Sequence, residues 1–170
     1  MAIRGDTYCG IYCGACSVAG HGETGREDGF VACMRGVPRE EISCGGCKSG
    51  SVYAGCRVCG FRDCAREKGV EHCVECAGFP CRPYRSWQSW AIVLPHISES
   101  LSSMRAIGRD GARAWLEAQK DRWSCPGCGA PFTWYAATCE RCGRALSPAA
   151  FRLSGLRRLA ARIVLPSVYR

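Results

Sequence analysis

Apolar residues are distributed unevenly along the chain. Leu94, Ile97, Leu101, Met104 and Ile107 recur at three- and four-residue steps, the period of an amphipathic helix. Ser98 or Ser100 is placed to cap its start, and Gly108 to end it. A second helix is expected from Asp110, as its cap, to Arg122, with Ala114, Trp115, Ala118 and Gln119 along one side. A third pattern fills the last twenty residues: Leu153, Leu156, Leu159, Ala160 and Ile163 share one face, with Arg152, Arg157, Arg158 and Arg162 around it. That helix is expected to stop before Pro166. Phe132-Thr133-Trp134-Tyr135 has the composition of a strand. Trp87, Trp90, Trp115 and Trp123 are expected to supply much of the core that joins the two halves of the chain.

Residues 1–60 are different: rich in glycine and short of large apolar side chains. Hydrophobic burial there cannot offset a chain entropy of roughly 1–2 kcal/mol per residue. The composition says what takes its place. Of 170 residues 16 are cysteine. The segment before Cys9 lacks the apolar run of a secretory signal, and the longest apolar stretch, Trp90 to Leu94, is far shorter than the ~20 residues that span a bilayer. A cytoplasmic location with no membrane span is therefore expected. Thiols stay reduced there, so the cysteines are read as metal ligands before disulfides.

Six C-x-x-C pairs occur: Cys13/Cys16, Cys44/Cys47, Cys56/Cys59, Cys73/Cys76, Cys125/Cys128 and Cys139/Cys142. Cys9, Cys33, Cys64 and Cys81 stand outside them. A two-residue gap lets both sulfurs face one ion from a tight turn whose backbone N–H groups hydrogen-bond the thiolates. All sixteen are candidate metal ligands, enough for four tetrahedral sites. Cys56-x2-Cys59-x4-Cys64 and Cys73-x2-Cys76-x4-Cys81 repeat one spacing, with Phe61 and Phe79 in the second gaps. Each half offers three ligands, and the fourth has to come from Cys44 and Cys47 or from Cys9, Cys13, Cys16 and Cys33. Cys9-x3-Cys13-x2-Cys16 is also the spacing of the cluster loop of radical S-adenosylmethionine enzymes. No alternation of strand and helix follows it, and Gly14-Ala15 lacks the aromatic residue usual before their third cysteine.

Between Trp123 and Leu146 two pairs lie ten residues apart, each followed by a glycine, Gly129 and Gly143. This is the signature of a zinc ribbon: glycine allows the left-handed turn that closes each knuckle, and two knuckles converge on one ion. The whole reads as a small metal-stabilised protein, mostly α and irregular. It comprises a cysteine-rich multi-metal domain (1–85), a helical connector (86–122), a C-terminal β zinc ribbon (123–147) and a basic amphipathic tail helix (148–170).

The run Cys9-Gly-Ile-Tyr-Cys-Gly-Ala-Cys16, with Cys44-x-x-Cys47, Cys56-x-x-Cys59-x4-Cys64-Ala-Arg-Glu-Lys-Gly69 and Cys73-x-x-Cys76-x-x-Phe-Pro-Cys81, resembles an uncharacterised cysteine-rich domain of bacteria and archaea that opens with CG-x-YCG-x-C. The stretch from Ile107 into the ribbon resembles longer members of that family, so the resemblance covers about residues 6–146 and stops before the basic tail. Tyr135 stands where some relatives carry a histidine. The resemblance implies metal binding and no particular activity.

Three functional classes follow. The protein is a multi-zinc module for protein interaction or regulation, with an unknown protein partner; or the N-terminal cysteines hold an iron–sulfur cluster that transfers electrons or senses redox state; or the ribbon binds nucleic acid. An enzyme is the weakest reading, because His21, His72 and His96 are isolated and four-thiolate zinc has no open position for water. His72, beside Cys73, reads as an exposed loop residue in preference to a ligand. The net charge of +8 first suggests an anionic partner. Residues 141–170, however, hold seven arginines and no acid, and so carry all but one of those charges. Sixteen thiolates on four divalent ions would subtract eight and leave the chain near neutral. An anionic surface, whether nucleic acid, membrane or partner, should therefore meet the tail.

Overall fold

The computed structural model describes residues 5–146 and 149–167. Residues 147–148, where ribbon and tail are expected to meet, and 168–170, the expected end of the tail, lie outside the described residues, as do residues 1–4 before the first motif. Seven α-helices are joined by short 3-10 turns and irregular chain: α1 (Ser17–Thr24), α2 (Ala54–Arg57), α3 (Gly60–Glu67), α4 (Arg82–Gln88), α5 (Ser100–Asp110), α6 (Ala112–Arg122) and α7 (Gly155–Ser167). Cysteines begin three of these helices, Cys16, Cys59 and Cys81 being the N-caps of α1, α3 and α4. The helices thus start where cysteine turns end.

The expected β ribbon is not formed. Among the described residues only two isolated bridges occur, Ser124 with Pro131 and Thr138 with Ala145. Phe132, Thr133, Trp134 and Tyr135 are all buried, whereas a half-buried strand would alternate. Their backbone explains the absence of strands. Phe132 N–H bonds the Trp123 carbonyl, Trp134 N–H the Ala15 carbonyl, and the Trp134 and Tyr135 carbonyls accept from Phe151 and Gly29. Four different segments take the bonds that one partner strand would have taken.

These aromatic residues anchor the first of two buried clusters. Around them pack Val18, Phe30, Val31, Met34 and Ile42 from the N-terminal third and Ala161 and Leu165 from α7. The glycine-rich region therefore does bury apolar surface, against side chains contributed from more than eighty residues downstream. Asp28 ties the two together: its carboxylate accepts from the Phe30 and Val31 N–H groups and from the hydroxyls of Ser17 and Thr133. The second cluster holds Tyr84, Met104, Ile107 and Trp115, with Phe61, Phe79 and Trp87 against them. Trp90 is 45% exposed and belongs to neither cluster.

The helical middle forms, with different ends. The leading residues Pro95–Glu99 are a 3-10 turn, and α5 runs through Gly108 to stop at Gly111, whose φ of 84° ends it. Gly108 is needed for closeness: a Cβ there would lie 2.9 Å from Val74, in the turn that carries Cys73 and Cys76. Asp110 ends α5 and pairs with Arg109, so it does not cap α6. On α6 it is Trp115 that is buried, with Ala112, Leu116 and Gln119 half-buried, while Ala114 and Ala118 face water.

The tail helix also departs from expectation. It continues through Pro166 to Ser167 and buries Ala161 and Leu165. The apolar face read from the sequence divides: Leu153 precedes the helix and packs against the first cluster and Ala160 is half-buried, whereas Leu156, Leu159 and Ile163 are 84%, 57% and 67% exposed.

Candidate metal centre

Each of the two C-terminal Cys-x-x-Cys pairs, where the ribbon is expected, is shaped by its own turn. Gly129, with φ of 69°, donates its N–H to the Cys125 carbonyl at 2.8 Å, and Gly143, with φ of 72°, does the same to Cys139. The Cys125 and Cys139 N–H groups bond back to the Ala130 and Arg144 carbonyls. Sulfurs accept what remains: Gly127 N–H points at Cys125 Sγ at 3.4 Å, and the N–H groups of Cys142 and Arg141 at Cys139 Sγ.

The two knuckles then meet. Cys125 Sγ is 3.6 Å from Cys142 Sγ, and Cys128 Sγ is 3.6 Å from Cys139 Sγ. All four sulfurs lie within 4.8 Å of one another, and among the described residues this is the one set of three or more ligating groups drawn so close. A divalent ion bound to four thiolates at about 2.3 Å requires sulfur separations of roughly 3.8 Å. The quartet fits that requirement and could hold a metal ion. Its acid–base chemistry matches. The Cys142 N–H first, and Arg141 after it, hold the Cys139 thiol down to about 6. For Cys142 the Arg144 N–H favours the thiolate, but loss of water and the three neighbouring thiols push it up to about 11.

Eleven N-terminal thiols gather by another route. The Cys73 N–H bonds the Tyr8 carbonyl at 2.8 Å, bringing the Cys73–Cys76 turn beside Cys9. The Cys13 sulfur accepts from the Cys47 N–H, and the Cys47 sulfur from the Tyr8 N–H. Cys44 Sγ accepts the Gly46 N–H at 3.3 Å. Burial, and then mutual repulsion, pushes Cys16 and Cys73 up to about 12 and raises Cys9, Cys13 and Cys56 above the ordinary thiol range. Cys9 feels Cys47, Cys59 and Cys73, Cys56 feels Cys16 and Cys44, and Cys73 feels Cys64 and Cys81, so these turns neighbour one another. Among the described residues, however, no three of these sulfurs are drawn within 4.8 Å of one another.

The residues between the opening cysteines have structural roles. Gly10 has φ of 83°, and a Cβ on it would lie 2.7 Å from the Ser100 carbonyl of α5. A Cβ on Gly14 would lie 2.3 Å from the Tyr12 ring, which sits edge-on to Trp115 at 6.0 Å. The Cys9 carbonyl accepts from the Tyr84 hydroxyl at 3.0 Å and from the Ser100 hydroxyl. The second buried cluster is thus the bed on which the first cysteine loop rests.

Cys33 is not brought to the other thiols. It is fully buried in the first cluster, its thiol faces the Gly29 carbonyl at 3.3 Å, and the charges near it are Arg158 and Arg162 of α7. The three histidines have protein partners. His21 bonds the Arg26 carbonyl, and His96 bonds the Tyr135 hydroxyl and stacks on Trp134 at 4.3 Å. His72 is buried, contrary to the exposed loop expected for it, with Nε2 on Asp6 at 2.7 Å and Nδ1 on Glu75 at 2.9 Å. Lys48 joins the same network, bridging Asp6 and Glu71, both at 2.7 Å. Spacing gave no sign of this ionic patch among the cysteine turns, because its members are 66 residues apart in the chain. All sixteen cysteines are free of disulfides. Among the described residues no helix is long and apolar enough to cross a membrane.

No curated protein and no solved structure matches the chain. Residues 6–86 match the model of a family described as protein of unknown function, DUF3795, which covers the opening motif and the repeated cysteine spacing and ends before the helical middle.

Proposed function

We propose that the protein is a cytoplasmic multi-zinc protein whose ions are structural and whose fold serves as a protein-interaction or regulatory module. The observation that carries this reading is the Cys125, Cys128, Cys139 and Cys142 quartet, with sulfur pairs at 3.6 Å. Those four residues would hold zinc in a closed tetrahedron. Bound there, the ion cross-links two turns and supplies no open position for catalysis. The reading also needs reduced thiols, hence a reducing compartment. A nucleic-acid role for the ribbon is disfavoured, because Phe132, Trp134 and Tyr135 are buried and cannot stack on bases.

A second reading has one observation in its favour. Among the described residues no three N-terminal sulfurs lie within 4.8 Å of one another, and a cluster of several irons takes more widely spaced cysteines than a single ion does. Metal and sulfide analysis of protein purified without oxygen decides between the two. At least three zinc ions per chain without iron is expected, one in the ribbon and the rest among the eleven N-terminal cysteines. A brown protein containing iron and acid-labile sulfide overturns the all-zinc reading. Less than one metal ion per chain overturns both.

A further inference from the structure

We propose that α7 is a docking helix for an anionic lipid surface, lying in the plane of the interface with Leu156, Leu159 and Ile163 inserted. Those three residues follow one another at three- and four-residue steps, so they form one strip about 10 Å long. The strip is 84%, 57% and 67% exposed. The helix does not need it for packing, since Ala161 and Leu165, on the opposite side, supply the face buried against the turn at Val31–Cys33. By helical geometry the exposed Arg157 stands about 120° from the strip, the level at which a guanidinium meets lipid phosphates, whereas Arg162 turns towards Cys33 and the body.

Charge identifies the occupant. Residues 141–170 have seven arginines and no acid, whereas residues 1–140 are nearly balanced before any thiolate is counted. The excess positive charge is therefore concentrated in the last thirty residues of the sequence, to which α7 belongs, and it favours an anionic surface there. Three aliphatic side chains offer far less than the roughly 800 Å² per partner of a stable protein interface. Shallow insertion beside lipid phosphates requires no matched surface. At thirteen residues the helix is too short to span the bilayer.

Removing the tail is a poor test, because it would also uncover Ala161 and Leu165. The informative variants change only the outward strip: Leu156→Ser alone, and Leu156→Ser, Leu159→Ser and Ile163→Ser together. Each is checked for unchanged circular dichroism and metal content. Co-sedimentation would compare vesicles of phosphatidylcholine alone with vesicles of phosphatidylcholine and phosphatidylglycerol. Wild type is expected on the anionic vesicles, less so at high salt, and the triple variant at least about tenfold weaker. If the triple variant should misfold, Leu156→Ser and Arg157→Gln carry the test, each expected to weaken binding severalfold. Absence of binding to anionic vesicles at low salt overturns the proposal, and so does equal binding by well-folded variants. A lipid-free dimer in sedimentation equilibrium that the triple variant abolishes would assign the strip to a second copy instead.

Discussion

The C-terminal cysteine quartet and the N-terminal cysteine region present the same thiol side chains and are assembled by different means. In the ribbon, each knuckle is closed by hydrogen bonds within six residues, and the four sulfurs come within 4.8 Å of one another. In the N-terminal region the turns are held by remote partners: Tyr8 by Cys73, the Cys9 carbonyl by Tyr84 and Ser100, and Gly10 by α5. A locally closed site can be read from spacing, while a remotely assembled one depends on the rest of the fold. The two are nonetheless coupled, because the aromatic residues between the knuckles are the floor on which Phe30, Val31 and Ile42 are buried.

The largest expected effect breaks the comparison at its metal. A structural zinc contributes about 10–16 kcal/mol of apparent binding free energy, as much as or more than the ~5–15 kcal/mol by which whole domains are stable. Complete chelation should therefore unfold residues 1–85, and through the shared cluster the ribbon as well. Unchanged circular dichroism after verified metal removal would contradict this. Next in size is Trp134→Ala, which deletes a side chain buried between His96 and the first cluster and should cost about 3–5 kcal/mol. Its metal content should stay at the wild-type value, since no ligand is touched. Chemical denaturation with metal analysis of the folded fraction checks both parts.

The same difference determines what could be read without a structure. The C-terminal quartet was legible because two C-x-x-C pairs, each followed by glycine, lie ten residues apart; Cys56-x-x-Cys59-Gly60, which lacks such a neighbour, leads into α3 instead. The middle helices were legible from their period, but their ends were not. Gly108 looks like a stop and is a point of close approach, and Asp110 looks like a cap because a carboxylate before an apolar residue fits that role equally well. The strand expected at Phe132–Tyr135 failed for a tertiary reason: aromatic composition fits burial of any kind, and here all four residues are buried. The tail's apolar periodicity was real, but periodicity cannot say which face the body will cover. Two small contacts, Ala161 and Leu165, outweighed the larger strip.

Gly10→Ala tests the remote assembly directly. A non-glycine residue at a φ of 83° costs on the order of 1–3 kcal/mol, and the added Cβ must also displace the Ser100 carbonyl. We expect about 2–3 kcal/mol of lost stability with fewer N-terminal metal ions, while the ribbon keeps its ion. Stoichiometry resolved by Cys139→Ser in the same background distinguishes the two. A variant of wild-type stability and metal content would show that the Cys9 loop does not depend on α5.

The smallest effect probes the joint between the two regions. His96 is half-buried, its ring stacked on Trp134, and loss of water around the ring lowers it to about 3, far below the ordinary 6.5. It is therefore neutral in the folded protein throughout the range in which the unfolded chain takes up a proton. The sign follows: for a cationic group whose folded pKa is depressed, the unfolded state binds more protons below pH 6.5, so stability falls as pH drops and stops falling only near pH 3. Between pH 7 and 5 that amounts to about 2 kcal/mol. His96→Phe keeps the stacking on Trp134 but has no proton to gain, although it leaves the Tyr135 hydroxyl without its partner. Its stability at pH 7 should be lower by about 1 kcal/mol, and its decline to pH 5 shallower by about 2. Parallel curves for the two proteins across that range would mean that His96 meets water, and that the floor under the N-terminal cysteines is open.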